Sequence, residues 1–234
     1  MKSTVQQIRE RFDRDVDRFS NLDTGQTATM DSALVLDLIA QTVAKTNPDA
    51  RSILDVGCGA GNFTLKLLGR IPNLNSTLVD LSAPMLERAQ SRVAAATNGT
   101  VRILQGDVRE IDLGQEEFDI IVAAAVLHHL REESEWRLVF QKLYECLKPG
   151  GSIWISDLVS HSVAQIQDVM WARYGDYLTA FKGEEYRDHV YAYVDQEDSP
   201  RPVLFQCDVL RQAGFPEVEI LHKNAVFAAF CAIK

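Results

Sequence analysis

The sequence predicts an α/β domain, doubly wound around a mostly parallel sheet whose last strand runs antiparallel. Three observations carry this. From Arg51 onward, short apolar runs alternate with amphipathic helical segments, the pattern of a parallel sheet with right-handed crossovers. A glycine-rich stretch, Gly57-Cys58-Gly59-Ala60-Gly61, follows the first of those runs and opens a helix. The last two runs, 218–221 and 226–233, are separated only by His222-Lys223-Asn224-Ala225. That is too short for a helical crossover, so the last strand must reverse.

The elements follow in order. Residues 1–19 place Val5, Ile8, Phe12, Val16 and Phe19 at helical spacing among charges, which predicts one amphipathic helix. Residues 20–30 read as a polar loop. A second helix is expected over 31–45, with Leu34, Val35, Leu38 and Ile39 on one face and Asn47-Pro48-Asp49 ending it. Residues 1–50 would thus form a helical N-terminal lid on a binding domain of residues 51–234. Ser52–Val56 reads as a buried strand, and the helix after the glycine loop carries Phe63, Leu67 and Leu68. Residues 76–80 form a second strand. Ser82 can cap the next helix, with Pro84 in its first turn and Leu86, Ala89 and Val93 facing inward. A third strand covers 101–104. Phe118–Ala124 is an almost unbroken apolar run, the mark of a strand buried on both faces. Trp136, Val139, Phe140, Leu143 and Leu147 mark a helix, and Lys148-Pro149-Gly150-Gly151 turns the chain into a fifth strand, 152–156. Residues 157–202 are too long for a plain loop. They are rich in aromatics and read as a helical insertion on the substrate side. A helix over Val203–Ala213 stops at Gly214.

Composition narrows the function. The chain has 234 residues, which suits one α/β domain with an elaboration. Its 24 basic and 33 acidic residues leave a net charge of −9, and no run of lysine and arginine makes a basic patch. A negative field repels phosphate backbones, so a nucleic-acid partner is not expected. The longest apolar stretches, 120–127 and 225–233, are far short of the roughly 20 residues of a membrane span. The charged start, with Arg9, Glu10, Arg11, Asp13, Arg14 and Asp15, does not read as a signal peptide, and a cytoplasmic protein is expected. Cys58, Cys146, Cys207 and Cys231 are widely spaced and read as free thiols. No spacing of His, Asp, Glu or Cys suggests a metal site, so none is expected.

The glycine loop is the chemical centre. Glycines there let the backbone turn sharply and a ligand approach without a Cβ in the way. The dinucleotide fingerprint Gly-x-Gly-x-x-Gly would need glycine at position 62, where this chain has Asn62. Asp80 ends the second strand, where a carboxylate can accept hydrogen bonds from ribose hydroxyls. Asp107, in Gln105-Gly106-Asp107-Val108, follows the third strand and is placed to accept from an adenine amine.

Five motifs in order, ILDVGCGAGNFT, LVDLSAPMLERA, LQGDV, FDIIVAAAVLHHL and LKPGGSIWISD, resemble those of class I S-adenosylmethionine-dependent methyltransferases. The resemblance covers residues 51–157 and, less fully, 210–234. It implies a Rossmann-like, seven-stranded sheet with an antiparallel seventh strand. It implies S-adenosylmethionine as cofactor, with Asp55 and the backbone of Gly57, Gly59 and Gly61 facing its methionine part. Asp80 would hold the ribose and Leu81 would pack on adenine. Asp107, with the backbone of Val108, would bind the adenine amine. Ala124 would border the methionine moiety. The implied activity is methyl transfer to a small-molecule acceptor, by a monomer or homodimer. The N- and C-terminal elements also resemble carboxy-S-adenosylmethionine synthase, which leaves modification of the cofactor itself open, as does a cofactor-binding protein without turnover. Asn62 and the turn at 148–151 oppose a nicotinamide-dependent oxidoreductase.

A sulfonium already carries an activated methyl group, so the protein must mainly align the acceptor and exclude water. A general base is optional. Candidates are His128 and His129, after the fourth strand at the carboxyl end of the sheet, where ligands bind in such folds. Asp157 and His161 are topologically suitable but read more simply as a helix cap and a solvated loop residue. By family topology Gln26, Thr27 and Met30 lie at the inner edge of the lid. The insertion's aromatic rings either line an acceptor pocket or only pack the insertion onto the sheet. Arg173, Arg187 and Arg201 read as surface residues.

Overall fold

The computed structural model describes residues 2–21 and 26–234; residues 22–25 of the expected 20–30 loop lie outside the described residues. Among the described residues the strands β1 (Ser52–Val56), β2 (Asn75–Asp80), β3 (Val101–Gln105), β4 (Phe118–Ala124), β5 (Leu147–Leu158), β6 (Glu217–Asn224) and β7 (Phe227–Ile233) form one seven-stranded sheet in the order β3-β2-β1-β4-β5-β7-β6. The first five run parallel, and β7 lies antiparallel between β5 and β6. The doubly wound class with a reversed last strand is thus observed. The chain reverses sides between β3 and β4, so the crevice above the carboxyl ends of β1 and β4 is the switch point at which such folds bind ligands. No helix spans that crossover, where the sequence likewise marks none.

The sheet is buried on both faces, as the apolar run of β4 requires. Ile121 and Ala123 join Leu54, Val56, Ile153 and Ile155 beneath α6 (Glu133–Cys146) and α9 (Val203–Ala213). Ile120 and Val122 join Ile53, Leu78 and Trp154 beneath α3 (Ser32–Thr46), α4 (Asn62–Leu68) and α5 (Ala83–Ala94). Ser82 caps α5 by accepting from the Met85 N–H at 3.3 Å. Gly214 ends α9 at φ +116°, a left-handed conformation that suits glycine.

Several local expectations are corrected. The single helix over 1–19 is two, α1 (Val5–Phe12) and α2 (Val16–Ser20), broken where the Asp13, Arg14 and Asp15 amides bond in tight turns back to Arg9, Arg11 and Phe12. In α3 the buried face is Val35, Ile39 and Val43, while Leu34 is exposed. Leu147 opens β5 instead of closing α6. Residues 148–151 are a bulged extension of that strand, with Gly150 at φ +78°.

The insertion folds as α7 (Ala164–Lys182) and α8 (Glu184–Glu197). Its aromatic rings pack, against one another and against β7, where Tyr174 meets Phe227 with ring centroids 5.2 Å apart. Trp171 stacks on Tyr174 with ring centroids 5.5 Å apart and lies beside Tyr191, packing the two helices together. The Tyr174 and Tyr177 hydroxyls donate to the carbonyls of Ala28 and Thr27, tying α7 to the N-terminal segment. All four cysteines are buried and free. No helix among the described residues is long and apolar enough to cross a membrane.

Candidate active site

The glycine loop leaves β1 with three consecutive odd positions in the left-handed region: Gly57 at φ +65°, Gly59 at +50° and Gly61 at +81°. Each glycine has its own reason. A Cβ on Gly57 would stand 2.4 Å from Val126 Cγ2, because the chain leaving β4 turns sharply, with Ala125 at φ +51°. A Cβ on Gly61 would press on Ala89 and Val93 of α5. A Cβ on Gly59 would meet no protein atom within 4 Å. Gly59 therefore borders open space, whereas Gly57 and Gly61 serve packing.

Two carboxylates frame that space. Asp55, buried at the end of β1, accepts from the Thr64 hydroxyl at 2.7 Å. Burial dominates and pushes its carboxyl up to about 7, with the Thr64 hydrogen bonds opposing the shift. Asp80 uses both oxygens: one accepts from the Gly59 N–H at 2.8 Å and the other from the Ser82 N–H at 2.9 Å. Burial also raises its pKa, against those backbone hydrogen bonds. Asp107 differs. Burial would raise its pKa, but the Arg109 side chain and backbone N–H donate to it and hold it below the usual carboxylate range. Arg109 was not singled out in the sequence, although an acid followed two residues later by an N–H donor is a recognisable Asx turn.

Asp55, Gly57, Gly59, Asp80, Leu81, Asp107, Val108 and Ala124 all line one cleft of about 150 Å³. Gly61 is not part of its wall. The opposite wall is apolar and N-terminal, from Ile8, Phe12 and Phe19. Asn62 fastens it there: its side-chain amide donates to the Phe19 carbonyl at 2.9 Å while its oxygen accepts from Arg92 at 2.8 Å. Farther out, Arg11 pairs with Glu197 at 2.7 Å, and Arg131 donates to the Ser3 carbonyl. The position that rules out a dinucleotide fingerprint is thus a tether.

A second cavity of about 570 Å³ adjoins the first, and Phe12, Phe63, Ala125 and His129 belong to both walls. Tyr174, Tyr186 and Tyr193 line its insertion side, and Gln26 and Thr27 its N-terminal side. Met30 is buried in the neighbouring core. Arg173, Arg187 and Arg201 are absent from either wall.

The histidine pair stands at the junction on the short 3-10 turn Leu127–His129. Asp157 is not a helix cap. It is buried in β5, bonds His128 Nδ1 and accepts from the His128 N–H at 3.1 Å. His128 Nε2 faces Asp198 Oδ1 at 3.6 Å, and His129 Nδ1 faces the same oxygen at 3.3 Å. Burial disfavours a charge on His128, yet Asp157 and Asp198 overcome it and lift its pKa to about 9. His129, desolvated and beside that charge, is shifted down. Asp198 was missed in the sequence, since nothing local links it to a histidine pair 69 residues earlier. His161 lies outside both walls, against Lys223 and Gln167.

Known proteins resemble this chain. A family profile described as "Methyltransferase domain" matches residues 53–151, from β1 to the start of the fifth strand's core. An uncharacterized methyltransferase of Mycobacterium tuberculosis is 37% identical over 111 residues, 47% of this chain and 52% of that protein. The chain thus matches about half the length of that relative. The carboxy-S-adenosyl-L-methionine synthase of Wolinella succinogenes is 30% identical over 211 residues, 86% of this chain and 84% of that one. Among solved structures, a putative S-adenosylmethionine-dependent methyltransferase of Methanococcus maripaludis aligns over 100% of this chain and 95% of its own, with a TM-score of 0.61 at 20% identity. The glycine loop, the strand order and the long match agree, and the chain belongs to the class I S-adenosylmethionine-dependent methyltransferase family.

Proposed function

We propose that the protein binds S-adenosylmethionine in the first cleft and transfers its methyl group to a small molecule held in the second cavity. The observation that carries this reading is the open space over Gly59, flanked by Asp55 and Asp80 and leading past His129 into a larger cavity. A ligand with a cationic end and a diol suits the buried Asp55 and the half-buried Asp80, whose oxygens can accept further hydrogen bonds. When bound, the cofactor supplies a methyl group activated by its sulfonium.

The chain's own residues would do the rest. Asp80 takes the ribose hydroxyls while keeping Gly59 in place. Asp55 faces the cationic methionine end. Leu81 packs on the base, and Asp107, oriented by Arg109 and with the Val108 backbone beside it, accepts from its amine. Ala124 borders the methionine part. Phe12 and Phe19 exclude water from the junction. Both ring nitrogens of His128 face carboxylates, so it positions and does not accept a proton. His129, unprotonated at neutral pH, is the group that meets the acceptor. The tyrosine-lined cavity and the acidic surface favour a small organic acceptor over nucleic acid.

A second reading has its own support in the long match to a carboxy-S-adenosyl-L-methionine synthase: the cofactor itself would be the substrate. Mass spectrometry of the ligand that survives purification separates the two. Unmodified S-adenosylmethionine, or its demethylated product, fits methyl transfer, and a cofactor heavier by a carboxyl group fits the other. Calorimetry that shows no binding of S-adenosylmethionine to folded protein would remove both.

A further inference from the structure

We propose that His128, His129 and Asp198 form a binding site for a divalent transition-metal cation, of the zinc type, at the junction of the two cavities. The three side chains offer one donor atom each, all within 4.8 Å of one another. Asp198 Oδ1 is the common point, 3.6 Å from His128 Nε2 and 3.3 Å from His129 Nδ1. Two ligands at zinc-like bond lengths and a tetrahedral angle stand about 3.3 Å apart. The donor spacing therefore fits a shared ion.

Hydrogen bonds do not account for the same atoms. Asp198 is 4% exposed, yet its Oδ1 has no hydrogen-bond partner, and neither does the buried His129 Nδ1. A proton shared between an imidazolium and a carboxylate draws the heavy atoms to about 2.7–2.9 Å, which neither contact reaches. Two buried atoms that stand 3.3 Å apart without a hydrogen bond leave a place for a shared occupant.

The surroundings resemble those of a metal ligand set. Asp157 holds the far nitrogen of His128, fixing the ring with Nε2 toward Asp198, as an outer carboxylate does for a metal-bound histidine. The nearby cations are already engaged: Arg11 pairs with Glu197, and Arg131 donates to backbone carbonyls of Ser3 and Glu197. All three donors line the second cavity, which leaves room for a fourth ligand from water or substrate. If the proposed reaction holds, an acceptor oxygen or nitrogen in that cavity would coordinate the ion and lose its proton more readily, and His129 would serve as a ligand instead of a base. That role rests on the methyl-transfer reading; the binding site does not.

The test uses the full-length, tag-free protein, stripped with a chelator and titrated with Co2+. One equivalent should bind and give the visible absorption of a four- or five-coordinate ion, and Zn2+ should displace it. His129→Ala and Asp198→Asn should each weaken Co2+ binding tenfold or more, and His161→Ala, outside the cluster, should not. If Asp198→Asn fails to fold, His129→Ala decides, since its ring stands at the cavity wall. No stoichiometric Co2+ binding, or binding unchanged in His129→Ala, overturns the site. Either result leaves cofactor binding untouched, and a failure to bind S-adenosylmethionine leaves this site standing.

Discussion

Asp80, at the tip of β2, accepts a hydrogen bond from the Gly59 N–H at 2.8 Å, so the carboxylate proposed for the ribose also fixes the glycine loop. One side chain therefore links two neighbouring strand ends. Asp80→Ala should lose both functions. We expect cofactor affinity to fall by about 1–3 kcal/mol, roughly ten- to a hundredfold in Kd. Faster hydrogen exchange at the Gly59 amide should accompany it. Calorimetry reads the first and mass-resolved exchange the second. Unchanged affinity would show that the ribose lies elsewhere.

The glycines should separate by role. Gly57→Ala sets a Cβ 2.4 Å from Val126 at a positive φ, and we expect a large loss of stability, partly restored by Val126→Ala. Gly59→Ala meets no protein atom. It should cost only about 1–2 kcal/mol of backbone strain while abolishing cofactor binding. Thermal melts with and without S-adenosylmethionine distinguish the two. A Gly59→Ala protein that binds normally would remove the cradle.

How far the sequence could be read follows from which contacts are local. Strand alternation, the reversed last strand and the buried β4 came from periodicity and spacing, and the structure bears them out. The break in the first helix was hidden because Val5, Ile8, Phe12, Val16 and Phe19 keep helical spacing across it. Asp55, Gly59, Asp80 and Asp107 gather in one cleft because each ends a neighbouring parallel strand or follows it. Asp198 and the Asn62–Phe19 tether depend on where the insertion and the N-terminal segment dock. Such docking is set by tertiary packing, which no local pattern encodes.

Asp55 predicts a pH signature. Its folded pKa, about 7, lies above the 3.8 of an unperturbed carboxyl. The native state then holds a proton that the unfolded chain releases, so this group's stabilisation is full below 3.8, declines as pH rises and is gone above about 7. Asp55→Asn should flatten that decline in melts between pH 4 and 8 relative to wild type. A cationic ligand end beside Asp55 would favour its charged form, so cofactor binding near pH 6 should release a proton. Calorimetry in buffers of different ionisation enthalpy measures this. Buffer-independent enthalpies would separate Asp55 from the cofactor's charge.

The Asn62 tether predicts a more mobile N-terminal wall without a change in the core. Asn62→Ala removes the donor to the Phe19 carbonyl and the acceptor of Arg92. A loss on the order of 1 kcal/mol is expected, confined to α1 and α2. Limited proteolysis should cut near Phe19 faster, and bound cofactor should dissociate sooner, while the melting temperature stays near wild type. Unaltered proteolysis would mean that the Arg11–Glu197 and Arg131–Ser3 contacts hold this wall without the tether.

The two histidines should respond differently to removal. His128 separates two buried carboxylates, Asp157 and Asp198, whose side chains are 0% and 3% exposed. His128→Asn leaves them facing each other without a compensating charge, which should cost roughly 3–5 kcal/mol of stability. Activity would fall with the fold. His129 stands at the cavity wall, with its ring edge-on to Phe12. His129→Ala should remain folded and bind S-adenosylmethionine with a near-normal Kd, yet turn over at least tenfold more slowly. Melting curves, calorimetry and initial rates on the same preparations separate these effects. Full turnover by His129→Ala would leave alignment within the two cavities to account for the transfer by itself.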